Sequence, residues 1–255
     1  MTVPVLEVNG LSKSFGGVQA IRDLSFRVLP GDVLGLIGPN GSGKSTTVNT
    51  LAGVHPATAG EIVLDGAHVQ NLPEYERVAL GLARTFQTAR LFPEFTVREQ
   101  ITLGAQVTRR SHPLSSVFGI GRHPGEDETV AAHVEEILDL TGLRPVATAK
   151  AGTISSAQQR FLMIATALAA RPKIVLLDEP AAGLVAQERK DLGRLIRAIR
   201  DSGVAVLVIE HHMGLIMEIC DRIVVLNFGA KIAEGTPEQI RNDKAVIDAY
   251  LGQAA

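Results

Sequence analysis

The chain has 255 residues, 45% apolar and 20% charged, enough to bury a substantial core in one large domain or two small ones. A formal net charge of −2 gives no electrostatic ground for nucleic acid or an anionic membrane surface as a partner. One cysteine, Cys220, excludes an intrachain disulfide and suits a reducing compartment. Its expected role is a small buried apolar side chain on a helix.

Met1–Gly10 carries neither the basic region nor the apolar stretch of a signal peptide. The longest apolar run, Phe161–Ala170, is about half of the roughly 20 residues that a membrane-spanning helix needs. Membrane association is therefore expected to run through a partner. No repeat of the length used by solenoids is present.

In chain order, Leu6 and Val8 alternate with polar residues, Gly16-Gly17 turns, and Val18–Val28 continues a half-buried strand pattern. With Glu61–Leu64 and the Asp65-Gly66 turn, these predict a small antiparallel sheet. Val33–Ile37, Ile174–Leu177 and Val204–Ile209 are continuous apolar runs, the pattern of parallel strands covered on both faces. Each precedes a stretch compatible with a helix, near Gly43, Val185 and His212, which is the rhythm of an α/β sheet. Val97–Val107 and Thr129–Thr141 read as helices, the second with Val130, Val134, Ile137 and Leu138 on one face. Ser111–Glu128, rich in Gly, Pro, Ser and His, reads as a loop between them. A mostly helical subdomain is thus expected to interrupt an α/β core.

The strongest chemical signal is Gly38-Pro39-Asn40-Gly41-Ser42-Gly43-Lys44-Ser45, a full G-x-x-x-x-G-K-[ST] phosphate loop between an apolar strand and a helix. Its glycines let backbone N–H groups curl toward phosphates, aided by the positive helix end. Lys44 would reach the β- and γ-phosphates, and the Ser45 hydroxyl would ligate Mg²⁺. The adjoining Thr46 is included among the nucleotide-binding residues. The second signal is Asp178-Glu179-Pro180 at the end of a predicted strand, where open α/β sheets bind ligands. Asp178 suits Mg²⁺ through a coordinated water, and Glu179 suits a base that orients or deprotonates the attacking water.

The order of phosphate loop, Gln87, Ile154-Ser155-Ser156-Ala157-Gln158-Gln159-Arg160, Asp178-Glu179 and His211 resembles the nucleotide-binding subunits of ABC transporters along essentially the whole chain. It is most similar to the ATP-binding subunits of branched-chain amino-acid importers. The segments that carry this are Arg84-Thr85-Phe86-Gln87 with Arg90-Leu91-Phe92, then Ala181-Ala182-Gly183-Leu184, Ile209-Glu210-His211, Gly235–Ile240 and Ala249-Tyr250-Leu251-Gly252. The resemblance implies a RecA-like P-loop NTPase core: an α/β fold with a parallel sheet, a small antiparallel β subdomain and an inserted helical subdomain. Residues 1–87 and 158–255 would form the core, and about 88–157 the helical part.

The same resemblance implies roles for single residues. Phe15 would stack on adenine, Gln87 would touch Mg²⁺ and link the site to the helical subdomain, and His211 would contact the γ-phosphate and steady the attacking water. Ser155 and Gln158 would face the ATP of a second subunit. His212 is expected to be a solvated or capping residue, and His112, His123 and His133 lack metal-ligand spacing and read as surface residues.

Two positions depart from the family pattern. Ala157 replaces the fourth residue of Leu-Ser-Gly-Gly-Gln, where a methyl group could hold the backbone away from a phosphate. Val185 replaces an Asp or Asn that bridges two subunits. They raise an asymmetric heterodimer of this chain with a different ATP-binding subunit; if both substitutions are tolerated, the second subunit can be a copy of the chain itself. The expected ligands are ATP and Mg²⁺. The expected partners are that second subunit, two membrane-spanning permease subunits and an extracytoplasmic solute-binding protein, with the chain peripheral on the cytoplasmic face of the inner membrane. Service to an exporter and a hydrolysis-impaired regulatory subunit are the competing readings.

Overall fold

The computed structural model describes residues 3–85, 91–106 and 124–251. By their contacts the residues fall into two compact units, one from 1–87 with 173–255 and one from 88–172.

In the first unit, β1 (Leu6–Phe15), β2 (Val18–Val28), β4 (Ala59–Leu64) and β5 (Ala67–His68) form an antiparallel sheet in the order β2-β1-β4-β5. The second sheet has the order β10-β9-β3-β8-β7-β6. Its strands are β3 (Val33–Ile37), β6 (Leu82–Arg84), β7 (Ile174–Asp178), β8 (Ala205–Ile209), β9 (Arg222–Asn227) and β10 (Ala230–Gly235). All neighbouring pairs are parallel except β9 with β10. The three apolar runs of the sequence became β3, β7 and β8, and every residue of all three is buried. Side chains of this kind contribute about 1.5–3 kcal/mol each when fully removed from water.

The phosphate-loop helix α1 (Lys44–Leu51) shares one core with both sheets: Val48 and Leu51 lie with Leu6, Val8, Leu24, Leu36, Leu176 and Leu207. Two carbonyls at its C-terminal end, Thr50 O and Leu51 O, are capped by Arg77, on the short α2 (Glu74–Ala79). Arg77 is 1% exposed. Its NH1 donates to Thr50 O and Leu51 O, both at 2.7 Å, its Nε to Leu72 O at 2.9 Å and its NH2 to Gln70 O at 3.0 Å. Burial pulls the guanidinium below its ordinary range, and the negative end of the helix dipole faces the cation.

Four further helices complete this unit: α6 (Ala186–Asp201), α7 (Met213–Ile219), α8 (Pro237–Asn242) and α9 (Lys244–Leu251). The first two begin where the sequence placed them. His212 is the N-cap of α7, its Nδ1 accepting the Leu215 N–H at 3.2 Å. Cys220 is buried, as read, with its thiol pushed well above the usual range by that burial.

The second unit holds α3 (Val97–Gln106), α4 (Pro124–Leu140), a 3-10 turn (Arg144–Val146) and α5 (Ser156–Ala169). The helix expected from Thr129 starts earlier, at Pro124, where the fixed φ of proline suits a first turn. The remainder of the expected loop, with His112 and His123, lies outside the described residues. His133 departs from its surface reading: its side chain is 14% exposed, and its Nε2 is buried without a hydrogen-bond partner in the described structure. α5 belongs to this unit rather than to the core, because Gly104 of α3 lies directly on it. A Cβ at Gly104 would stand 2.3 Å from Thr166 O, a distance that only glycine permits.

The buried Arg77 yields a stability test. Arg77→Met keeps much of the volume but strands three backbone acceptors, Leu51 O, Leu72 O and Gln70 O, since Thr50 O also takes the Gly53 N–H, each costing about 1–3 kcal/mol if left buried and unpaired. At about 2–4 °C per kcal/mol for a chain this long, the thermal midpoint should fall by roughly 5 °C or more. A midpoint unchanged from wild type would contradict the assignment.

Candidate functional site

The register of the parallel sheet brings the predicted residues together. Leu36 of β3 pairs with Ile209 of β8, and Ile209 pairs with Asp178 of β7. The three strands therefore end at one level, and the phosphate loop, Glu179 and His211 follow immediately, at the edge where open α/β sheets hold ligands.

The loop's shape is enforced sterically at Gly38. With φ at 152°, a Cβ there would sit 2.1 Å from Leu226 O and 2.6 Å from Ser42 Oγ, so no side chain can enter. Asn40, Gly41 and Ser45 are exposed, whereas Gly38, Pro39, Ser42 and Lys44 are buried and Gly43 and Thr46 are half-buried. The Lys44 ammonium donates to Gly38 O at 2.7 Å and Pro39 O at 2.9 Å. Burial pulls its pKa down from the ordinary lysine value, and the charge of Glu179 pushes it back up.

Asp178 is 3% exposed. Its Oδ2 pairs with Arg84 NH2 at 3.0 Å, and Arg84 NH1 donates to Asn49 Oδ1 at 2.7 Å, tying β7 to β6 and to α1. The other oxygen, Oδ1, is buried with no hydrogen-bond partner among the described residues. A buried carboxylate oxygen with spare lone pairs is chemically suited to a hard cation or its water.

Glu179 follows with φ at 50°, the left-handed region that a non-glycine residue rarely adopts. Its Oε1 lies 2.9 Å from His211 Nε2, with the two side chains 28% and 47% exposed. A carboxylate and an imidazole in hydrogen-bond reach, on the same edge as a buried ammonium, can hold and move a proton beside a phosphate.

Phe15 stands at the end of β1, 45% exposed. Lys13 Nζ lies 4.7 Å over its ring, and the His55 ring meets it edge-on at 5.3 Å between centroids. Gln87 lies outside the described residues.

In the second unit, Ser155 is the N-cap of α5. Its Oγ accepts the Gln158 N–H at 3.2 Å, and Gln158 Oε1 accepts the Ser155 N–H at 3.0 Å, so both expected signature residues form a capping box. Ala157 is 8% exposed, its methyl packed within the unit. Val185, at the start of α6, is 61% exposed, and its N–H donates to Glu188 at 2.9 Å.

Sequence reasoning did not assign site roles to Arg84, Asn49, Glu210 or Tyr250. Arg84 and Glu210 lie within motif segments, but only the fold shows what they touch. Burial pushes the phenol of Tyr250, on α9, above its ordinary range. Among the described residues, no group of three or more His, Cys, Asp or Glu is arranged to hold a metal by itself.

The family model of the ABC transporter matches residues 21–182, and that of the branched-chain amino acid ATP-binding cassette transporter matches 230–255. The chain is 44% identical to the high-affinity branched-chain amino acid transport ATP-binding protein BraF of Pseudomonas aeruginosa and 39% identical to LivG, of the same description, from Escherichia coli K12. Both alignments cover 100% of each chain. Among solved structures, the ADP conformation of MJ1267, an ATP-binding cassette of an ABC transporter, superposes with a TM-score of 0.85 at 31% identity, covering 98% of this chain and 100% of that one. A nucleotide-free ATP-binding cassette from an ABC transporter gives 0.83 at 31% identity, covering 97% and 99%. With loop, strand-end carboxylates and histidine arranged as described, the chain belongs to the ABC transporter family as an ATP-binding cassette.

Proposed function

We propose that the chain hydrolyses Mg·ATP to drive import of branched-chain or related amino acids through membrane-spanning partners. The observation that carries the hydrolytic part is the Glu179–His211 pair at 2.9 Å, on the strand edge that also bears Lys44. The substrate class rests on BraF and LivG, matched over their full lengths.

In this reading Lys44 and the loop N–H groups hold the β- and γ-phosphates. Glu179 takes up or orients the proton of the attacking water, and His211 steadies the γ-phosphate. Phosphoryl transfer asks for little covalent chemistry, so positioning and charge carry most of the rate. Asp178 Oδ1, Ser45 and Gln87 would hold Mg²⁺, which when bound neutralises phosphate charge. Phe15 offers its exposed ring to the adenine.

Ser155 and Gln158 would serve the ATP of a second ATP-binding subunit, either a different chain or another copy. The buried methyl of Ala157 weakens the steric argument for an impaired signature, leaving exposed Val185 as the asymmetric feature. Two permease subunits and an extracytoplasmic solute-binding protein complete the proposed assembly, with this chain peripheral on the cytoplasmic face. Among the described residues, no helix is long and apolar enough to cross a membrane.

One measurement checks the reading. Glu179→Gln should lower ATP turnover by about 10²- to 10⁴-fold, the span of a positioned base, while equilibrium ATP binding survives. Equal loss of binding and turnover would refute the role.

A further inference from the structure

Glu210 has no part in the roles above, yet it is a carboxylate only 5% exposed. A buried carboxylate persists where hydrogen bonds replace its water, and Glu210 takes one from each of two loops. Its Oε1 accepts the Ala181 N–H at 2.5 Å, and its Oε2 accepts the N–H of His211 at 3.1 Å. Ala181 lies in the turn that leaves Glu179. The Glu179 N–H in turn donates to Ile209 O, at 2.9 Å. Two hydrogen bonds thus join the segment 179–181 to the segment 209–211, one of them through the Glu210 side chain, whose other oxygen holds the adjoining His211 N–H.

Both residues of the pair depend on this junction. Glu179 holds its left-handed backbone, at φ 50°, between the bond to Ile209 and the bonded turn at Ala181. His211 has an exposed imidazole, so its backbone is the part that the protein fixes. We infer that Glu210 is a positioning residue for hydrolysis, setting the spacing of the Glu179 carboxylate and the His211 imidazole by holding the two loops that carry them. The inference rests on the hydrolytic reading of that pair. Glu210 itself is buried, its two oxygens occupied by backbone N–H groups, and is not catalytic.

The test uses the full-length chain with Glu210→Gln. The amide keeps size and shape but offers one acceptor and one donor to two N–H groups, so one bond is lost and two donors meet. A misplacement of about 1 Å can cost on the order of 10²-fold in rate. Turnover should therefore fall about 10- to 100-fold, with equilibrium ATP affinity within about twofold of wild type. Combined with Glu179→Gln, the substitution should add little further loss, because residues acting through one pair are non-additive. The His211 imidazole resonance of the nucleotide-free chain, assigned through His211→Gln, should move in Glu210→Gln as it does in Glu179→Gln. That readout needs no turnover.

Wild-type turnover and an unmoved His211 resonance in Glu210→Gln would overturn the inference, as would full additivity with Glu179→Gln. A lower melting point with affinity and turnover reduced in proportion would show a merely structural carboxylate and also overturn it. If Glu179→Gln itself hydrolyses ATP at the wild-type rate, the hydrolytic reading fails. If only Glu210→Gln is silent, that reading stands and the positioning role alone is lost.

Discussion

Three parallel strands that end in register impose the constraint on which the site depends. Leu36, Ile209 and Asp178 stand opposite one another across β3, β8 and β7, so the loops that follow start from one line. The apolar side chains along these strands hold that line, since a shift in register would break the ladder and move buried groups out of the core. Placing β8 between β3 and β7 sets the loop bearing His211 between the phosphate loop and the turn bearing Glu179. The same sheet order puts β6 beside β7, which lets Arg84 reach Asp178.

Charge inside the first unit is handled by pairing and by backbone dipoles. Asp178 is matched by Arg84, Lys44 by carbonyls of its own loop, and Arg77 by four carbonyls around the end of α1. Buried charge without such partners would cost several kcal/mol. These arrangements leave the two groups suited to ligand, the Asp178 Oδ1 and the Glu179–His211 pair, at the strand edge rather than in the core.

Much of this was legible because its signals are local. The phosphate loop, the three apolar runs and Asp178-Glu179 each occupy a few consecutive residues, and the starts of α1, α6 and α7 follow from the strands before them. What could not be read was carried by long-range pairing. Arg84 and Asp178 are 94 positions apart, and nothing in either segment names the other. Glu210 and Ala181 are 29 positions apart, and Arg77 meets Thr50 and Leu51 across 27 and 26 positions, so neither contact is visible in its own segment. The strands β9 and β10 and the packing of α9 against the core depend on tertiary neighbours, and α5 joined the helical unit through the close approach at Gly104, which a pattern of apolar residues does not encode.

In the proposed function the strand-edge loop is a nucleotide cradle in which Lys44 supplies the buried positive charge. Equilibrium ATP binding to wild type and to Lys44→Ala measures this directly. A hydrogen bond to a charged group is worth about 1.5–3 kcal/mol, so affinity should fall by roughly 10- to 100-fold. Equal affinity for ATP in the two proteins would contradict the claim.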